Sequence, residues 1–159
     1  MFDITPIQEN DQEWFAKLLV ERWDSPKVVS RGQLHHADQL PGFVAWSQDK
    51  PVGVITYHTV GIQCEIVTIN SLHERKGIGR KLIEAIISAA RTIGCERIWL
   101  TTTNDNIPAL VFYQKIGFRL AALHIDAINS SRNLKPEIPD IGYGGIPIRD
   151  EIELEYWLN

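Results

Sequence analysis

Gly77-Ile78-Gly79 stands between a β-branched run, Ile66 to Asn70, and a helix-forming run, Arg80 to Thr92. Without a Cβ at either glycine, the backbone can turn tightly and lay consecutive N–H groups against an anion at the positive end of the following helix. The chemistry this predicts is the holding of a phosphate. Arg75, Lys76, Arg80 and Lys81 cluster around the turn, enough charge for one small polyphosphate and too short a run to track a duplex. No Lys-Ser or Lys-Thr follows the second glycine, so a nucleotide-hydrolysing phosphate loop is a poor reading. A second motif lies downstream, Asn-Ile-Pro-Ala-Leu-Val-Phe-Tyr-Gln-Lys-Ile-Gly-Phe from Asn106 to Phe118. It pairs a capped short helix with a buried aromatic, Phe112, and a phenol, Tyr113. By spacing alone Tyr113 is a core residue with a satisfied hydroxyl.

The elements that must position these residues can be read in order. Phe2 to Thr5 is strand-like, and Asn10 followed by Glu13 has the form of a capping box opening a helix. Trp14, Phe15, Leu18 and Leu19 share one face of that helix, which Asp24-Ser25-Pro26 stops. Val28 to Leu40 is polar and irregular, with room for one helical turn. Phe43 to Ser47, Val52 to Val60 and Cys64 to Asn70 are β-rich and joined by short turns, predicting three antiparallel strands. In the helix after the glycines, Leu82, Ile83, Ile86, Ile87, Ala90 and Ile93 recur at three- and four-residue steps, with Gly94 at the C-cap. Ile98 to Thr103 is a strand reached through a helix, so it should lie parallel to its predecessor. Asn104-Asp105-Asn106 caps the next helix, Gly117 ends it, and Phe118 to Asp126 is a further strand. Ala127 to Gly145 reads as a long loop, and Ile146 to Tyr156 as a last strand with strict alternation.

With 159 residues, 44% apolar and 23% charged, the chain suits one domain spanning 1–159. A net charge of -4 leaves no cationic excess for nucleic acid as a principal partner. Cys64 and Cys95 fall in no disulfide or zinc spacing, which points to a reducing compartment. No run approaches the roughly 18 apolar residues that would span a bilayer, and the N-terminus lacks a basic region before an apolar stretch. A soluble, cytoplasmic protein is expected, with no membrane partner. His35 and His36 are adjacent and would face opposite ways on a strand, so no metal is expected. Glu151, Glu153 and Glu155 alternate opposite Ile152, Leu154 and Tyr156. That acidic face reads as solvated, and would favour a cationic acceptor if it bordered a cleft.

The two motifs and the order of elements together resemble the GNAT superfamily of acyl-CoA-dependent N-acyltransferases, over nearly the whole chain. The closing Gly-Ile-Pro-Ile-Arg-Asp-Glu-Ile-Glu-Leu, residues 145 to 154, is similar to a branch whose members mostly lack an assigned substrate. The resemblance implies an α/β fold with a mixed central β-sheet, splayed where the cofactor enters and flanked by helices. It implies an acetyl group passing from acetyl-CoA to a primary amine by direct attack through a tetrahedral intermediate, with no metal.

The family's phosphate loop, Gln or Arg, two residues, Gly, any residue, then Gly or Ala, maps onto Glu74, Gly77 and Gly79. Glu74 departs from it. A carboxylate aimed at a pyrophosphate would repel it, so Glu74 is expected to point away while Arg75 or Lys76 supplies side-chain charge. Backbone N–H groups from Arg75 through Lys76, Gly77, Ile78 and Gly79 to Arg80 would bind the anion. The resemblance also implies that the main chain of Val67, Thr68 and Ile69 pairs with the pantetheine arm like an added strand. Asn106 matches a cofactor-contacting asparagine, with Ala109 and Phe112 around it.

Tyr113 occupies the family's phenol position, where it would protonate the departing thiolate. Glu65, expected on one strand face with Val67 and Ile69, is the candidate base; relatives using a strand glutamate often place it where this chain has Gln63. The bland reading of Glu65 is a cross-strand ion-pair partner. The alternative function is a non-catalytic acyl-CoA-binding sensor or interaction module, which would bind without releasing thiol. Nothing in the sequence names the acceptor, whether small amine, amino acid, antibiotic or protein, and a homodimer is the commonest assembly for soluble chains.

Overall fold

Alternating apolar residues in the strands, and three- and four-step spacing in the helices, build a seven-stranded mixed sheet with helices on both faces. The computed structural model describes residues 2–72 and 77–158. In chain order the elements are β1 (Asp3–Pro6), α1 (Gln12–Trp23), β2 (Lys27–Ser30), β3 (Gln33–His36), β4 (Gly42–Ser47), β5 (Lys50–Val60), β6 (Gln63–Ser71) and α2 (Ile78–Ile93). They continue as β7 (Arg97–Thr103), α3 (Ile107–Ile116), β8 (Arg119–His124), α4 (Ala127–Leu134) and β9 (Glu151–Trp157). The main sheet runs β1-β4-β5-β6-β7-β9-β8, with β6 and β7 parallel and the other neighbours antiparallel.

Two cores clamp the sheet. Leu82, Ile83, Ile86 and Ala90 of α2 bury against Ile55, Ile66, Ile98 and Leu154 on one face. On the other, Phe15, Leu18 and Leu19 of α1 pack on Val28, Val44 and Val54. Ile93, expected on the α2 core face, is exposed instead, because it falls on the last turn where Gly94 already leads the chain away.

Two local features open the sheet. The β5–β6 register jumps from Thr56↔Thr68 to Tyr57↔Ile66, so Val67 is an extra, bulged residue. A bulge flips the facing of everything beyond it. Glu65 and Val67 face the α1 side while Ile69 packs with the α2 core, so the expected shared face of Glu65, Val67 and Ile69 is corrected for Ile69. Beside the bulge, the parallel β6–β7 pairing ends at Glu65↔Trp99, and the two strands part.

Four further expectations change. Val28 to Leu40 is a two-stranded hairpin, β2 on β3, turned by Arg31 and Gly32 with φ of 48° and 74°, followed by a 3-10 turn at Ala37–Gln39. The α1 entry is a 3-10 turn at Glu9–Asp11, where the Asp11 carboxylate, not Glu13, accepts from the Gln8 N–H at 2.8 Å and from Trp14 Nε1 at 3.1 Å. Ala127 to Gly145 contains α4, and the last strand begins at Glu151 and lies between β7 and β8. The stretch after α4 is pinned rather than loose. Arg132 donates to the carbonyls of Pro139 at 2.8 Å and Ile148 at 2.9 Å. Asn104 Oδ1 accepts from the N–H groups of Arg149 and Asp150 at 2.9 and 3.0 Å, and its Nδ2 donates to Pro147 O at 2.9 Å.

Candidate active site

Gly77 takes φ 72° as the N-cap of α2, and among the described residues no side chain caps this start and no acidic residue sits in its first turn. The first N–H groups of a helix have no intrahelical partner, so an uncapped start is an anion site. The two glycines serve different needs. Gly77 supplies the left-handed φ, with open space where a Cβ would stand; a Cβ on Gly79 would meet Phe112 Cζ at 2.8 Å, so Gly79 lets α3 close on α2. Glu74, Arg75 and Lys76 lie outside the described residues.

A cleft of about 650 Å³ opens from this terminus into the gap between β6 and β7. Val67, Thr68, Ile69, Gly77, Ile78, Gly79, Arg80, Asn106, Ala109, Phe112 and Tyr113 all line it. Thr68 offers its main chain only, since its hydroxyl is spent on Thr56 Oγ1 at 2.6 Å. The Asn106 carbonyl oxygen accepts from the Ala109 N–H at 3.3 Å as the α3 cap, which leaves its amide hydrogens for the cleft. Tyr113 is wedged between Phe112 and Phe118, ring centroids 5.1 and 5.5 Å away. Burial pushes its phenol above the ordinary value, so it holds its proton throughout the neutral range.

A second cavity of about 370 Å³ lies on the α1 face and shares Trp23, Ile66, Val67, Thr101, Thr102 and Asn106 with the first. Glu65 lines it while only 3% exposed. Its Oε1 is 3.4 Å from His35 Nε2, close enough for charge attraction but without hydrogen-bond alignment, and its Oε2 is buried with no protein partner. His35 in turn packs edge-on against His58, centroids 5.2 Å apart. His35 and His36 do face opposite ways, one buried and one exposed. Gln63 lines neither cavity; it accepts from Arg97 at 3.0 Å on the exposed sheet surface.

The acidic face of β9 is paired rather than solvated. Arg97 reaches Glu153 at 2.5 Å and Glu155 at 2.9 Å, and His124 reaches Glu153 at 3.0 Å. Burial alone would raise the Glu153 carboxyl, but the bonds from Arg97 and His124 hold it below its usual range. Glu151, buried on the cavity wall, accepts from the Arg31 N–H and guanidinium, each at 3.3 Å. Alternation located this face but could not show the cations across from it.

Sequence reasoning also missed Trp23 and Lys135. Trp23 Nε1 donates to Asn70 Oδ1 at 3.0 Å and its ring walls both cavities. Its only sequence signal is an aromatic at the end of α1; Lys135, in the stretch read as loop, carries none. Among the described residues no cluster of His, Cys, Asp or Glu could hold a metal, and no helix is long and apolar enough to cross a membrane.

The sheet splays beside a bulge, with a glycine-led helix start at one end of the gap and a buried phenol along it. Residues 7–118 match the acetyltransferase (GNAT) family, and the chain belongs to that family: it is an acetyl-CoA-dependent acetyltransferase. It is 39% identical to the uncharacterized protein YdhI of Bacillus subtilis (strain 168) over 153 residues, 96% of each chain. Among solved structures it is similar to a Bacillus subtilis acetyltransferase in complex with CoA, with a TM-score of 0.74, 25% identity and full coverage of both chains. It is also similar to the IAA acetyltransferase of Bacillus cereus, with a TM-score of 0.76 and 27% identity over 99% of this chain and 100% of that one.

Proposed function

We propose that the acceptor is a primary amine, bound in the second cavity and acetylated through the gap between β6 and β7. The carrying observation is that the two cavities meet where those strands part, with Tyr113 on one face of the sheet and Glu65 on the other. Pyrophosphate would rest on the N–H groups of Gly77 to Arg80, and the pantetheine arm along Val67 to Ile69, whose edge facing β7 is unpaired beyond Glu65. Asn106, Ala109 and Phe112 would wall the arm.

An amine with a pKa of about 10 arrives protonated and must lose a proton before attack. Glu65 Oε2, buried and unpartnered at the acceptor side, receives it. The freed lone pair attacks the thioester carbonyl, the C–N bond forms, and a main-chain N–H near the bulge stabilises the oxyanion. The nitrogen then gives up its second proton to solvent, the C–S bond breaks as the carbonyl re-forms, and Tyr113 gives its proton to the leaving thiolate and regains one from water. Two buried, free cysteines suit a reducing compartment such as the cytoplasm.

Calorimetric titration with acetyl-CoA, followed by thiol release against pooled amines and peptides, tests the reading. Saturable binding with amine-dependent release is expected. Binding without release across the pools would favour a sensor, and no binding at millimolar acetyl-CoA would remove the cofactor assignment.

A further inference from the structure

We propose that the second cavity selects an acceptor carrying a carboxylate beside its amine, an amino acid with an apolar side chain, and that Lys135 holds the carboxylate. The inference rests on the transferase reading above and names its acceptor class. Lys135 closes α4, is 7% exposed and lines the cavity. Its Nζ lies 5.9 Å over the Trp23 ring. No described carboxylate comes within ion-pair reach of it; Asp24 and Glu137 stand exposed at the rim and act only at longer range. Burial accordingly lowers the ammonium pKa, and those two carboxylates offset only part of the effect.

Three charged groups are buried on this wall: Glu65, Glu151 and Lys135. Glu151 is already answered by Arg31. Glu65 retains a buried orphan oxygen, and the Lys135 ammonium, set over the Trp23 ring, lines the cavity with no carboxylate partner among the described residues. A zwitterion answers both at once, its ammonium at the Glu65 oxygen, where an unpaired buried charge is costly, and its carboxylate at Lys135. A polyamine would instead set like charges against Lys135. Val28, Ile128, Ile138 and Ile148 add apolar surface to the same cavity. A volume of about 370 Å³ suits one small molecule.

The test is steady-state acetylation of matched pairs: phenylalanine with phenethylamine, leucine with isoamylamine, methionine with 3-(methylthio)propylamine. The amino acid of each pair should be preferred at least about tenfold in kcat/KM, and Lys135→Met should raise its KM about thirtyfold. The same variant should leave the decarboxylated partner and the acetyl-CoA Kd nearly unchanged, and Lys135→Arg should keep the preference. A wild type that uses the decarboxylated amines equally well, or a Lys135→Met that weakens both members alike, overturns the proposal. Turnover of other amines but of no pair member also overturns it, while leaving the transferase reading intact. Failure to bind acetyl-CoA by calorimetry would instead remove the reading beneath it.

Discussion

Tyr113 lines the first cavity and Glu65 the second, and each can be tested without disturbing the other. Tyr113→Phe keeps the ring that packs between Phe112 and Phe118, so folding and acetyl-CoA affinity should hold while kcat falls about 10²-fold, the usual weight of a general acid. A variant that bound acetyl-CoA tenfold more weakly but turned over normally would take Tyr113 out of the chemistry. Because burial raises the phenol, its loss of a proton should leave kcat undiminished up to at least about pH 10 in the wild type. Glu65→Gln preserves shape but cannot take a proton. Its rate at neutral pH should drop about 10²-fold and then climb with pH as free amine becomes available. A profile parallel to that of the wild type would mean that Glu65 serves only to hold His35.

At the scale of elements, the junction of α2 and α3 separates two uses of glycine. Gly79→Ala drives a methyl group into the end of the Phe112 ring, and displacing that ring from the cleft wall should cost about 1–3 kcal/mol and weaken acetyl-CoA. Gly77→Ala meets open space but strains a positive φ, costing about 1 kcal/mol. Urea unfolding beside acetyl-CoA titration would separate the two effects, and equal behaviour of the variants would refute the distinction. The glycine turn, the amphipathic α2 and the capped α3 were legible because local chemistry determines them. The β2–β3 hairpin was not, since Arg31-Gly32 is a weak turn signal between short polar strands. Nor was α4, whose position depends on Arg132 and Asn104 reaching across the chain. The bulge at Val67 leaves no trace in an unbroken β-branched run, and so the facing of Ile69 was misread. Of the site, much of the first cavity came from contiguous motifs; the second is assembled from α1, β2, β6, β7, α4 and β9, which no single window contains.

For the whole molecule, alkaline pH should act through the core. Burial first, then the neighbouring Cys95 and Glu65, push the Cys64 thiol from 9.0 up to about 12. A raised folded-state pKa contributes stability that is complete below the unfolded value and lost as pH climbs through the folded one. Some 4 kcal/mol, to order of magnitude, should thus disappear between pH 9 and 12. Cys64→Ala should be slightly less stable at pH 7 and show a flatter decline above pH 9 in denaturant melts. An unchanged slope would assign the alkaline loss to other groups. The family match ends at residue 118, whereas Ile128, Lys135, Ile148 and Glu151 of the acceptor wall all come later. One wall of the second cavity is thus encoded beyond the matched segment, while Trp23, Val28 and Glu65 on its other walls lie within it. Exchanging residues 127–150 between relatives should therefore shift acceptor preference in part, and leave acetyl-CoA affinity as it was.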